Sequence, residues 1–192
     1  MDYSNLKSKG INKLQAKDFK GALIDFNKAL EECSEKDWFL SSSLFMMRGE
    51  CHEKLGENEK AIEDYSKAIE INPRGVATAY INRGNLLLSS NDPAGIEDLK
   101  KSNEITARAY WISAKQLYEL GNHEQGIYFS DKAIKKAPHL LGGYWWRAQC
   151  KFKLLDYTGA INDLNKALEI DPKDKEITAL KESFIQIKQI MT

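Results

Sequence analysis

The residues best equipped for chemistry in this chain of 192 are three histidines, His52, His123 and His139, and three cysteines, Cys33, Cys51 and Cys150. A metal site or an activated nucleophile needs several such groups to converge on one point. The tightest grouping is Cys51-His52-Glu53, but on a helix consecutive residues point about 100° apart and cannot close on one ion. His52 instead reads as a packed core histidine. No Gly-rich phosphate loop, HExxH helix or GxSxG elbow is present, and the carboxylates are scattered over surface positions. The expectation is therefore a protein without catalytic residues, metal or cofactor, and not an enzyme. The cysteines are odd in number and widely separated, which points to reduced thiols rather than a disulfide framework.

Composition narrows the partners. Lys+Arg and Asp+Glu both total 28, for a formal net charge of zero. Binders of nucleic acid or of acidic membranes carry a basic excess, and neither partner is expected here. The first ten residues, MDYSNLKSKG, are polar and lack the apolar core of a signal peptide. No apolar run approaches the roughly 18 residues that would mark a membrane span. These features together predict a cytoplasmic protein.

What must position any functional side chain is a recurring pair of helices. The stretch from Ser43 to Pro73 reads as two amphipathic helices joined by a tight turn. Phe45, Gly49 and His52 share one face of the first. Ala61, Ile62, Tyr65, Ala68 and Ile69 follow three- and four-residue steps on the second. Leu55-Gly56 ends the first helix, because glycine readily takes the left-handed conformation of a C-cap. Asn72-Pro73 ends the second, because proline cannot continue the hydrogen-bond ladder.

The same columns recur five times. The small residue of the first helix is Gly10, Gly49, Gly84, Ala114 or Ala148, and that of the second is Ala22, Ala61, Gly95, Gly126 or Ala160. Four residues before the first stand Leu6, Phe45, Tyr80, Tyr110 and Tyr144, all large and apolar in body. This pattern resembles the tetratricopeptide repeat, a helix–turn–helix of about 34 residues. The resemblance implies an all-α fold, a right-handed superhelical α-solenoid of antiparallel helix pairs, forming a single domain over 1–192. Its repeats span about 3–41, 42–76, 77–106, 107–140 and 141–173, with a capping helix at 174–192. At least ten repeat helices plus the cap are expected. In the cap, Ile177, Leu180, Phe184, Ile187 and Met191 line one face, placed to cover the apolar flank of the last repeat.

Two places depart from the pattern. The third repeat has a shortened turn, with Asp92 placed to cap and Pro93 to open its second helix, and Ile105-Thr106 replaces its closing proline. Between repeats one and two the spacing stretches by five residues within 31–43. The expectation there is that helices lengthen and that Trp38, Phe39 and Leu40 pack on the adjoining repeats. The alternative is an apolar handle that protrudes toward a partner.

With no chemistry in view, function should reside in recognition. In tetratricopeptide arrays the first helices line a concave face that holds peptides or partner helices. The positions three before, one after and four after each small anchor share one helical side. Together with the neighbouring column two before the anchor, they nominate Met46, Met47, Ile81, Asn82, Asn85, Trp111, Lys115, Tyr118, Trp145 and Gln149 as peptide-binding residues. Phe152 belongs to the same side. Trp145 and Trp146 are adjacent on a helix, so only one of them is expected to face inward.

The best-understood branch of the family grips the terminal carboxylate of chaperone tails with lysine, asparagine and arginine on three successive first helices. Lys7 matches the first lysine, but Ile11 replaces the asparagine after Gly10. Met47 stands where a second asparagine is required, and Asn82 where a basic residue is required. The resemblance therefore implies a scaffold for a protein or peptide with an apolar segment, and not a clamp for chaperone-tail carboxylates. The alternatives are a dedicated inhibitor of one folded enzyme or toxin, and a self-assembly module.

Overall fold

The computed structural model describes residues 3–34 and 37–191. Among them every regular element is a helix and there is no strand. The order is α1 (Tyr3–Gln15), α2 (Phe19–Glu32), α3 (Trp38–Lys54), α4 (Asn58–Ile71), α5 (Ala77–Ser89), α6 (Ala94–Glu119), α7 (His123–Lys136), α8 (Leu141–Lys153), α9 (Tyr157–Ile170) and α10 (Lys175–Met191). The chain divides into two compact units, residues 1–102 and 103–192.

The expected count of repeat helices needs one correction. The second helix of repeat three and the first of repeat four are one element, the 26-residue α6. Helices α4, α7 and α9 end two residues before Pro73, Pro138 and Pro172. No proline or glycine occurs from Ile96 to Leu120, so the backbone finds nothing to stop it.

Within each unit the helices pair at the small-residue columns. A side chain on Gly49 would meet the Tyr65 ring at 2.9 Å and Asp64 at 3.2 Å. At Gly84 it would meet the backbone oxygen of Gly95 at 2.9 Å. In the C-terminal unit Gly126 leaves room for the Cys150 thiol at 2.5 Å. The core of the N-terminal unit gathers Leu6, Ala22, Phe26, Ala29, Leu44 and Cys51. That of the C-terminal unit gathers Ala148, Ala160, Leu164, Ala167, Ile177 and Phe184.

Helix α10 covers the last repeat as a cap. Ile177 and Phe184 are buried, and the Phe184 ring stacks on Phe152 at 3.7 Å. Two members of the expected face are corrected, since Ile187 and Met191 are exposed. Lys188 already hydrogen-bonds Thr158 in the first turn of α9, so the end of α10 runs past its partner.

The stretched connection also departs from expectation. Leu40 packs on the N-terminal core, but Trp38 and Phe39 are 56% and 65% exposed. Their rings meet edge to face at 6.0 Å, in the first turn of α3. Glu35 and Lys36 of this connection lie outside the described residues.

A second set of contacts repeats beside the small residues. Arg48, Arg83 and Arg147 each send two guanidinium nitrogens to a buried aspartate on the second helix, Asp64, Asp98 and Asp163. The third nitrogen reaches back to the preceding repeat, to Asn27, Ser66 and Asp131. Each guanidinium also lies 5.2–5.8 Å from the ring three residues earlier, Phe45, Tyr80 or Tyr144. Hydrogen bonding to Asp98 raises the Arg83 pKa further above its usual value. Repeat one substitutes Lys13, 2.7 Å from Asp25. Repeat four has Ser113 and Phe129 at the corresponding positions.

Each first helix ends in a backbone turn of left-handed hand, seven residues after the small anchor. Gly56 and Gly121 adopt it with φ of 77° and 78°, whereas Lys17, Asn91 and Leu155 adopt it without being glycine. The hydrogen bonds are those of a Schellman cap, Leu155 N–H to Phe152 and Asp156 N–H to Lys151 in repeat five.

Two outcomes follow from this geometry. Leu155 is 67% exposed, so Leu155→Gly loses little packing and relieves a left-handed penalty, raising stability by about 1 kcal/mol. Arg83→Ala leaves Asp98 buried without a cation and should cost about 3–5 kcal/mol. Arg147→Ala should cost less, because Lys151 stands 2.8 Å from Asp163. Urea titration of the three variants checks both the sign and the order.

Candidate partner-binding site

The side chains singled out for chemistry do not converge. Among the described residues no three of His, Cys, Asp and Glu come together in a way that could hold a metal. His52 is nearly enclosed and bridges the α3–α4 turn, with Nδ1 2.6 Å from Glu57 and Nε2 3.8 Å from Asp64. The hydrogen bond to His52, then that from Lys60, holds the Glu57 carboxyl below its usual range. His139 lies 3.3 Å from Glu104, and the His123 ring packs on Tyr118 at 5.4 Å.

Cys51 and Cys150 are wholly buried, and burial pushes both thiols up to about 11, with Glu50 adding to the effect at Cys51. Cys33 is only half-buried, its sulfur 3.2 Å from Ser41 Oγ.

The nominated recognition residues divide between the two units. In the N-terminal unit, Ile81 and Asn85 are exposed on α5, and Met46 is half-buried on α3. Met47 packs against the core. The amide of Asn82 donates to the Tyr65 hydroxyl at 3.1 Å, and that hydroxyl donates to Glu53 at 2.8 Å. Burial, then the bond to Glu53, raises the Tyr65 pKa well above the ordinary phenol value. Asn82 and Met47 are thus already engaged within the unit.

The C-terminal unit forms a concavity of about 430 Å³. Trp111 of α6 and Trp145 and Trp146 of α8 line it, with Arg108, His139 and Leu140 on the α6 and α7–α8 side. Ile170, Asp174 and Glu176 form the side given by the α9–α10 turn. Adjacent tryptophans were expected to divide, one inward and one away, and this is corrected. Both are half-buried and both line the cavity. The cavity lies along the first two turns of α8, whose Leu141 and Gly142 line it together with His139 and Leu140 of the preceding loop.

Gly142 explains how Trp111 reaches this place. A side chain at Gly142 would meet three atoms of the Trp111 indole, each at 3.1 Å. Equal distances to Cδ1, Cδ2 and Cε2 mean that the ring lies face-on over the glycine. Lys115 and Tyr118 do not line the cavity but meet Trp146, the ammonium 5.9 Å from its ring and the phenol 5.7 Å. Gln149 is half-buried one turn beyond Trp145. Phe152, expected on the concave side, is instead stacked under the cap by Phe184.

Residues of the α7–α8 loop and the α9–α10 turn were not legible as site residues, because only positions on the first helices were in register with the anchor. Arg108 had a signal, standing three residues before Trp111 and so on the same helical side.

Comparison with known proteins bears on this geometry. The tetratricopeptide repeat model matches residues 43–74 and 141–174. A TPR repeat-containing protein of Methanocaldococcus jannaschii is 28% identical over 97% of this chain and 40% of its own length. The Hsp70/Hsp90 co-chaperone CNS1 of Saccharomyces cerevisiae is 38% identical over 40% of this chain and 20% of its own. The chain thus spans well under half of these relatives. Among solved structures, the assembly chaperone of RpL4 superposes with a TM-score of 0.55 at 13% identity, over 91% of this chain and 78% of that one. The matched repeats, the helix pairs and the recurring small anchors together define the class. Residues 43–74 and 141–174 are thus tetratricopeptide repeats, and with the repeat-containing relative they support a tetratricopeptide repeat protein. No described helix is long and apolar enough to cross a membrane.

The cysteines offer a check on the packing of both units. At pH 8 a thiol reagent should label one site quickly, Cys33, and reach Cys51 and Cys150 only on unfolding. Both buried thiols have folded values raised from 9.0 to about 11. The stability that this contributes is fully present below pH 9 and is lost as the pH rises through 11. A labelling time course, with mass-spectrometric assignment, reads the first outcome, and thermal melts between pH 8 and 11 read the second.

Proposed function

We propose that this protein is a non-enzymatic interaction scaffold that holds an apolar segment of a partner protein. The observation that carries this reading is the concavity walled by Trp111, Trp145 and Trp146. Half-buried tryptophans lining a preformed hollow keep part of their apolar surface in water, and tryptophan is among the commonest anchors of protein interfaces. Lys115 and Gln149 stand beside the anchors, able to meet the backbone of a bound segment. In the N-terminal unit Ile81, Asn85 and Met46 offer a smaller contact surface on α3 and α5. A cytoplasmic setting accords with three free cysteines.

One relative is named as a co-chaperone of Hsp70 and Hsp90. The side chains here argue against the carboxylate clamp of that branch. Met47 is half-buried and packs against the core, and Asn82 is engaged with Tyr65. Neither presents a charge for a terminal carboxylate.

The test is a peptide selected against the intact protein from a displayed library, measured by calorimetry. Trp145→Ala should weaken its binding at least about tenfold, equivalent to 1.4 kcal/mol, with the helical circular dichroism unchanged. If affinity is unmoved by both Trp111→Ala and Trp145→Ala, the binding surface lies elsewhere, and the exposed Trp38–Phe39 pair is the next place to mutate.

A further inference from the structure

The walls of the tryptophan cavity carry charge as well as aromatic surface, and the charge selects among occupants. Asp174 and Glu176 line it from the α9–α10 segment and Arg108 from α6. Two carboxylates against one guanidinium leave the lining negative, and His139 is paired with Glu104 outside it. Glu176 and Arg108 enter no ion pair among the described residues. Asp174 Oδ1 accepts the backbone N–H groups of Glu176 and Ile177 at 2.9 and 3.0 Å. These bonds fix the carboxylate in place at the start of α10.

A concavity with three indoles and a fixed negative edge suits a cation. The indole faces attract positive charge through their quadrupole, and the carboxylates add a longer-range attraction. An ordinary ammonium is strongly hydrated and brings three N–H donors. The indole faces offer no acceptor for them, and the three open carboxylate oxygens all belong to Asp174 and Glu176. Donors left unpaired on burial are costly, whereas methylation removes the donors and keeps the charge. The protein itself uses the same attraction, with Lys115 held 5.9 Å from the Trp146 ring.

We propose that the cavity between Trp111, Trp145, Trp146, Asp174 and Glu176 takes a methylated lysine side chain of the partner protein. This rests on the scaffold reading and gives its anchor a chemical class. The alkyl stem lies along the indoles, and the trimethylammonium group sits toward the α9–α10 turn. Arg108, on α6, is free to meet an acidic group or a backbone carbonyl next to the modified residue.

The probe is N-acetyl-trimethyllysine methylamide, titrated into the intact protein while the four indole N–H signals are followed by ¹⁵N NMR. Trp38, in the N-terminal unit, is the internal control. The expected result is a saturable shift of the Trp111, Trp145 and Trp146 signals without movement of Trp38. The neutral isostere, in which carbon replaces the quaternary nitrogen, should bind at least about tenfold more weakly. Glu176→Gln should weaken the cationic probe several-fold and leave the neutral one unchanged.

Equal binding of the charged and neutral probes overturns the cation proposal while leaving the apolar scaffold reading intact. Tighter binding of unmodified N-acetyl-lysine methylamide, or of an acidic analogue held by Arg108, overturns it as well. No indole shift with any probe overturns the cavity as a side-chain site. Failure of the scaffold reading is seen separately, as peptide binding indifferent to Trp145→Ala.

Discussion

Everything in this molecule depends on how closely two helices approach at a residue with almost no side chain. At Gly49 the Tyr65 ring occupies the space a methyl group would need, and at Gly84 the backbone of Gly95 does so. Interiors are packed to crystal-like density, so the loss of that space has no inexpensive remedy. The close crossing also sets the reach of the arginine next to it. Arg48, Arg83 and Arg147 each precede the small anchor by one residue, and each spans its own second helix and the one before. A bidentate pair with a buried carboxylate is directional, and removing one member leaves an uncompensated charge. Apolar packing holds the helices together, and the arginine sets their register.

Where this cassette is missing, the pattern changes. Repeat four lacks both the arginine and the aspartate, and the helix that enters it is continuous with the end of repeat three. The two compact units divide at residues 102 and 103, inside α6. In the C-terminal unit, aromatic packing replaces the missing ion pair: Phe129 lies 6.1 Å from Tyr110. The tryptophan cavity is built on this variant repeat. A glycine at the start of α8 lets the Trp111 indole lie flat against it, and the α9–α10 turn brings two carboxylates to its edge.

Much of the fold was legible because helical repeats write themselves in local periodicity. Gly56, Pro73, Pro138 and Pro172 marked the helix ends through their own backbone restrictions. The small anchors marked the crossings by recurring at a constant offset. The absence of a stop at Ile105-Thr106 was visible as well, but its result, a single uninterrupted helix, depended on neighbouring turns continuing the same hydrogen bonds. Lys17 and Leu155 gave no local sign that they take a left-handed conformation, whereas Asn91 is of a type that tolerates it. The Schellman bonds around them impose it.

The sequence by itself therefore determined the helix pairs, the faces they bury and the positions where they cross, since these follow from spacing along one chain. Tertiary structure decided which of the nominated side chains remained available. Met47 went to the core, Asn82 to Tyr65 and Phe152 under Phe184, while Trp145 and Trp146 both came to line one cavity. It also brought in Asp174 and Glu176, some thirty residues beyond those tryptophans. The physical reason is that a helical face specifies a direction, whereas a binding site is a volume. A volume exists only once segments distant in sequence have closed around it.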